Sequence, residues 1–286
     1  MRHLLTISGS DSGGGAGIQA DLKTFAAFGV YGTSAITAVT AQNTIGLTTT
    51  AALSADLVTA QIEAIAGDIR IDATKIGMLA TAAIVEAVAS AIEELDLPLV
   101  VLDPVMVSSS GERLLDEDGV QALRFELLPR ARVVTPNIPE AEVLSGCRIE
   151  SSGDPGDPGG PGGPGGRRRA AERIHQMGAA AVVITGGHSG GADGPGGDLV
   201  VDLLFDGKSF TELKTPRARA GGGHRLHGTG CTFASALAAG LALGEPLALA
   251  ASRAQQYVAG AIARSVGVGH GAHVLNHFWQ IQSVNQ

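Results

Sequence analysis

Two cysteines in 286 residues, Cys147 and Cys231, are too few for a disulfide framework. No charged stretch followed by a short apolar segment opens the chain, so the expectation is a reducing compartment, the cytoplasm. Aromatics are equally scarce, with one tryptophan, two tyrosines and seven phenylalanines. That excludes a stacking surface for single-stranded nucleic acid. Basic charge is thin, 20 Lys and Arg against 28 Asp and Glu, for a net charge of −8. Its one cluster, Arg167-Arg168-Arg169, reads as a solvated helix start rather than a nucleic-acid patch. No apolar run approaches the ~20 residues that a bilayer span requires. Neither nucleic acid nor membrane is therefore an expected partner.

What the chain does have is glycine and small apolar residues. Forty-one glycines, twelve prolines and a 44% hydrophobic fraction imply many tight turns around an Ala, Val and Leu interior. Apolar strand-like runs alternate with helical patterns: Leu4–Ser8, Gly17–Phe28, Ala35–Ala41, Asp56–Ala66, Ala73–Gly77, Thr81–Leu95 and Leu99–Asp103. The series continues with Gly119–Leu128, Arg132–Thr135, a helix near Glu140–Leu144, Ala170–Gly178 and Ala181–Thr185. Strands such as Leu99–Leu102 and Val182–Ile184 are apolar throughout, as expected when helices cover both faces of a mainly parallel sheet. A β-hairpin is expected at Leu199–Leu213, turning at Asp206-Gly207. Two long helices follow, Thr232–Leu243 and Pro246 to about Val266. The reading is one α/β domain over 1–286. The Pro/Gly-rich tract 153–166 is expected to be a flexible excursion, and the shorter glycine loops 186–197 and 221–223 are candidate lids.

The run His227-Gly228-Thr229-Gly230-Cys231 carries the chemistry. Glycines at 228 and 230 let several backbone N–H groups converge at the start of a helix, whose dipole adds positive potential. Preorganised donors of this kind suit phosphoryl transfer, in which charge develops on equatorial oxygens. A thiol at that position is expected to have a lowered pKa, fitting Cys231 to accept a proton or to serve as a further donor. The same pattern also suits a tight turn with a buried cysteine before a core helix.

The glycine-rich stretch Ser8–Gly17 occupies the first strand-to-helix turn. A dinucleotide fingerprint would require an acid near Tyr31–Ile36, and none is there. No Gly-Lys-Ser or Gly-Lys-Thr follows any glycine loop, so there is no P-loop. Polar groups stand at the ends of apolar strands: Asp103, Asn137 with Glu140, and Thr185. A parallel sheet gathers such ends on one edge, where carboxylates beside phosphates commonly hold Mg²⁺, here Asp103 and Glu140. Asp21, Gln42 and Met78 are candidate pocket walls, Gln42 offering an amide to an aminopyrimidine edge and Met78 a soft face to a flat ring.

In combination these stretches resemble the hydroxymethylpyrimidine/phosphomethylpyrimidine kinases of thiamine biosynthesis, members of the ribokinase-like superfamily. The stretches that match are Leu5–Phe25, Thr40–Thr44, Lys75–Leu79, Asp103–Met106, Thr135–Glu140 and His227–Cys231. The resemblance implies ATP- and Mg²⁺-dependent phosphorylation of 4-amino-5-hydroxymethyl-2-methylpyrimidine and then of its monophosphate. It implies that Gly9, Asp21, Gln42 and Met78 line the pyrimidine pocket, and that Asp103, Asn137 and Glu140 serve Mg-ATP. Gly228, Thr229, Gly230 and Cys231 would form the anion hole, with Cys231 in the place of the catalytic aspartate of sugar kinases. A homodimer acting on small molecules is the expected assembly. Thr185 stands where many relatives carry lysine, and its hydroxyl can still donate to phosphate. A pyridoxal kinase and a pyrimidine-binding salvage protein are the alternatives. A dinucleotide-dependent oxidoreductase is disfavoured by the missing acid.

Overall fold

The computed structural model describes residues 1–108, 111–149, 164–186, 199–220 and 223–282. The amino-terminal half runs β1 (His3–Asp11), α1 (Gly17–Ala27), β2 (Tyr31–Gln42), β3 (Leu47–Ala52), α2 (Ala55–Ala66), β4 (Ala73–Ile76), α3 (Ala82–Glu94) and β5 (Val100–Leu102). It continues with α4 (Glu117–Ala122), β6 (Val133–Val134), α5 (Ile138–Ser145), α6 (Pro164–Gln176), β7 (Val182–Ile184), β8 (Leu199–Phe205) and β9 (Phe210–Pro216). The carboxy-terminal part holds β10 (Leu226–His227), α7 (Thr229–Ala242), α8 (Leu247–Ala263), β11 (His273–Val274) and α9 (Trp279–Gln282).

Nine strands form one sheet in the order β3-β2-β1-β4-β5-β6-β7-β8-β9. The six from β2 to β7 are parallel, while β3, β8 and β9 pair antiparallel at the edges. This is the expected mainly parallel α/β sheet, and β8–β9 is the expected hairpin. Alternate residues of each central strand enter different cores. Leu5, Ile7, Ile76, Leu102 and Val134 pack under α2, α3, α5 and α6, whereas Leu4, Ala73, Val101 and Val133 pack under α1, α7 and α8. A strand covered on both faces has no polar face to show, which is why these segments read as continuous apolar runs.

Several expectations are corrected. α6 begins at Pro164, so 164–166 belong to a helix and not to a flexible tract. Residues 153–163, loop positions 187–197 and 221–222 lie outside the described residues. The helix expected at Gly119–Leu128 is α4 followed by a π-helical turn at Leu123–Leu127 and a 3₁₀ turn at Leu128–Arg130. β3 is an additional strand, and its mostly exposed Thr and Ala residues carry no alternation to reveal it. Among the described residues, no helix is long and apolar enough to cross a membrane.

Strand order places the functional edge. The chain leaves β1 for β2 on one side and β4 for β5 on the other, so the connections diverge at the carboxyl ends of β1 and β4, the place where open α/β sheets bind ligands. A bulge between Ser8 and Ser10 loosens the β1–β2 pairing there. On the β2 side of the bulge, Thr37 turns its hydroxyl to the Met78 carbonyl at 2.6 Å.

Candidate active site

A cleft of about 600 Å³ opens along this edge, with Gly9, Gln42, Met78, Asp103, Glu140 and Cys231 in its wall. Gly9 and Met78 meet at the carboxyl ends of β1 and β4. A Cβ on Gly9 would come within 2.9 Å of Met78 Sδ, so glycine there leaves the thioether its present place in the wall.

The start of α7, like those of α1 and α8, carries no side-chain cap. Ser54, Thr81, Asp116 and Asn137 each use a side chain to cap α2, α3, α4 and α5. α7 begins at Gly228 with φ 88° and no side-chain cap. Its first-turn N–H groups are therefore left for an anion, and Thr229, Gly230 and Cys231 all line the cleft. Gly228 has no alternative here, because a Cβ would overlap the Gly15 carbonyl oxygen, while one on Gly15 would lie 2.7 Å from the His227 ring. The two glycine loops thus interlock.

The amino-terminal loop is not a second anion cradle. Its amides are occupied by Asp11, whose carboxylate accepts from Gly13 N (2.8 Å), Gly15 N (3.0 Å) and Ala16 N (2.9 Å), and meets His227 Nε2 at 3.0 Å. Burial works to raise the Asp11 pKa, but the bonds from His227, Ala16 and Gly13 outweigh it and hold the carboxylate below its usual value. Gln42 sits beside this pair, its side chain 3.1 Å from His227 Nε2 and 3.2 Å from Thr40 Oγ1.

Two sequence-based assignments are overturned. Asp21 is not a pocket wall. It is fully buried beneath the cleft floor, paired with Lys75 Nζ at 2.9 Å and accepting from Thr6 Oγ1 and Ser235 Oγ at 2.6 Å each. Nor is the Cys231 thiol acidified: desolvation, followed by the charges of Asp103 and Asp21, pushes it up to about 12, against the opposing pull of Lys75. A helix dipole at one end does not offset burial among carboxylates, and the sulfur is a neutral thiol.

Asp103 and Glu140 are buried on the same edge. Burial lifts Asp103 to about 6, against the pull of Lys75. Glu140 rises to about 8 through burial and then the charge of Asp103. Asp103 Oδ2 has no hydrogen-bond partner. Glu140 also closes the capping box of α5: Asn137 N donates to its carboxylate and Glu140 N donates to Asn137 Oδ1, both at 2.9 Å. Thr185 adjoins Asn137 through a parallel bridge, its N–H donating to the Pro136 carbonyl at 2.9 Å.

The family model for phosphomethylpyrimidine kinase matches residues 11–276. The chain belongs to the phosphomethylpyrimidine kinase family. It is 44% identical to the hydroxymethylpyrimidine/phosphomethylpyrimidine kinase of Bacillus subtilis, covering 96% of this chain and 94% of that one. Identity to the Haemophilus influenzae protein of the same description is also 44%, over 97% of each. Among solved structures, the pyridoxal kinase of Staphylococcus aureus in complex with AMP-PCP and pyridoxal superposes with a TM-score of 0.84 at 33% identity, covering 99% of this chain and 95% of that one. The phosphomethylpyrimidine kinase of Clostridium difficile gives 0.75 at 37%, covering 92% and 100%. The fold is accordingly ribokinase-like.

In and around the cleft stand further charged groups to which the sequence assigned no role. Lys75 lies in a fully buried strand with Ala73, Thr74 and Ile76, and a lone lysine there is itself a signal, since an ammonium is buried only with a partner. Asp11 and His227 flank glycines in both loops, but the 216 positions between them hide the pairing.

Proposed function

We propose that this protein transfers the γ-phosphoryl group of ATP to the hydroxymethyl oxygen of 4-amino-5-hydroxymethyl-2-methylpyrimidine, and then phosphorylates the monophosphate to the diphosphate. The observation that carries this reading is the convergence of the uncapped first turn of α7 with Asp103 and Glu140 on one cleft. The Gly228–Cys231 amides supply fixed donors for charge on the transferring group, and the Cys231 thiol adds a neutral donor. The transition state of phosphoryl transfer is loose, so positioning and charge stabilisation do most of the work and no strong base is required. Gly9 and Met78 hold the flat ring, with Gln42 at its edge.

Asp103 and Glu140 fit a divalent cation, since one buried carboxylate oxygen lacks a partner and the two acids disfavour each other's charge. Magnesium held there, largely through water, would neutralise phosphate charge. The reading places the enzyme in the cytoplasm as a homodimer acting on small molecules. Pyridoxal is the second candidate substrate, favoured by the likeness to the pyridoxal-bound Staphylococcus aureus enzyme. Release of ADP by the purified protein with Mg-ATP, measured with the pyrimidine, with pyridoxal and with neither, tests the proposal. Acceleration by the pyrimidine is expected. ADP release that neither compound stimulates would overturn it.

A further inference from the structure

Gly228 poses a mechanical problem for a kinase of this design. Its φ of 88° lies where glycine moves freely, yet it starts the turn whose N–H groups face the cleft. The Gly228 carbonyl and the Thr229 N–H belong to one rigid peptide plane and point in opposite directions. Whatever holds the carbonyl therefore aims the N–H.

The carbonyl is held from within α7. It accepts from Thr232 N at 3.0 Å and from Thr232 Oγ1 at 2.7 Å. Thr232 is fully buried, and with its one hydroxyl proton directed to Gly228 its oxygen accepts from His277 Nε2–H at 3.1 Å. His277 comes from the carboxy-terminal segment, 45 positions away. It is 3% exposed. Desolvation, with the nearby Lys23 charge adding to it, pushes its imidazole down to about 4, so it is neutral at physiological pH. That segment is fastened to α8, since Tyr257 Oη donates to the His277 carbonyl at 2.6 Å and Trp279 Nε1 donates to the Tyr257 carbonyl at 3.2 Å.

We infer that His277 is a positioning residue for phosphoryl transfer: through Thr232 it fixes the Gly228 peptide and so aims the first N–H of the anion hole. The inference rests on the kinase reading above and adds to it a role for the carboxy-terminal segment, which contributes none of the described residues lining the cleft. An ordinary core histidine would affect stability alone. A positioning histidine affects kcat, shares its effect with Thr232, and leaves the pyrimidine KM unchanged.

The test compares Thr232→Val, Thr232→Ser, His277→Ala, His277→Gln and the double variant Thr232→Val/His277→Ala, each first checked for folding by circular dichroism and a thermal melt. Thr232→Val keeps the shape of the side chain and removes only the hydroxyl, so it reports even where His277→Ala folds poorly. The expected result is a kcat loss of roughly 10–100-fold in Thr232→Val and His277→Ala, with KM for the pyrimidine within about twofold. The double variant should lose no more than the worse single one, and Thr232→Ser and His277→Gln should recover most of the rate. Unchanged kcat in a folded Thr232→Val, or losses that multiply in the double variant, would overturn the inference. A parent protein that turns over no pyrimidine would instead overturn the kinase reading on which it stands.

Discussion

At the residue scale, position and chemistry separate. The sequence placed Cys231 at a helix start, and the structure has it in the first turn of α7, in the cleft wall. It could not supply the neighbours, because Asp21, Lys75 and Asp103 come from three elements that meet only in the fold. With its thiol near 12, Cys231 in a Cys147→Ser background should alkylate slowly at pH 7, and its rate should still be rising at pH 10. A plateau near neutrality in an iodoacetamide rate-versus-pH series would contradict this. Asp21 was misread because a helix with polar residues all round does not announce which one turns inward. Its partner gives a second expectation: Lys75→Met, which strands a buried carboxylate, should cost roughly 3–5 kcal/mol in urea unfolding. Unchanged stability would refute the pairing. His277 gives a third. Its folded pKa of about 4 lies below the ordinary 6.5, so between those values the unfolded chain binds a proton that the folded chain refuses. Its contribution to stability is complete above about pH 6.5 and falls as pH drops toward 4, by up to roughly 3 kcal/mol. His277→Gln should remove that part of the pH dependence, and parallel stability curves for parent and variant would refute it.

At the element scale, long periodic segments were legible and short or irregular ones were not. α3 and α8 match their expected spans within a residue or three, because each repeats an apolar face over several turns. β3 escaped because one edge strand of Thr and Ala has no buried face to pattern it, and the π-helical turn at Leu123–Leu127 escaped because its hydrophobic spacing mimics an α-helix. The glycine loops were legible as turns, yet their interlocking was not, since it joins residues 15 and 228. That contact predicts a contrast. Gly228→Ala combines a left-handed φ with overlap of the Gly15 carbonyl, whereas Gly29 has φ 71° and nothing within 4 Å of an added Cβ. Gly29→Ala should cost about 1–2 kcal/mol, and Gly228→Ala should cost more and abolish turnover. Equal melting temperatures for the two variants would count against the interlock.

At the scale of the whole molecule, strand order does the assembling. Alternating apolar runs and helices establish a parallel sheet from sequence alone, but the divergence of the connections after β1 and β4 is a property of order, which no single segment carries. That divergence brings Gly9, Met78, Asp103, Glu140 and the α7 loop to one cleft from positions spread over more than 200 residues. The family match at residues 11–276 spans all of these parts except Gly9. The central claim is that this cleft phosphorylates a hydroxymethylpyrimidine twice. Mass spectrometry of the products formed over time from Mg-ATP and 4-amino-5-hydroxymethyl-2-methylpyrimidine, with pyridoxal in a parallel reaction, tests it most directly. The account predicts the monophosphate first and the diphosphate after it, whereas phosphorylation of pyridoxal alone, or of neither compound, would contradict it.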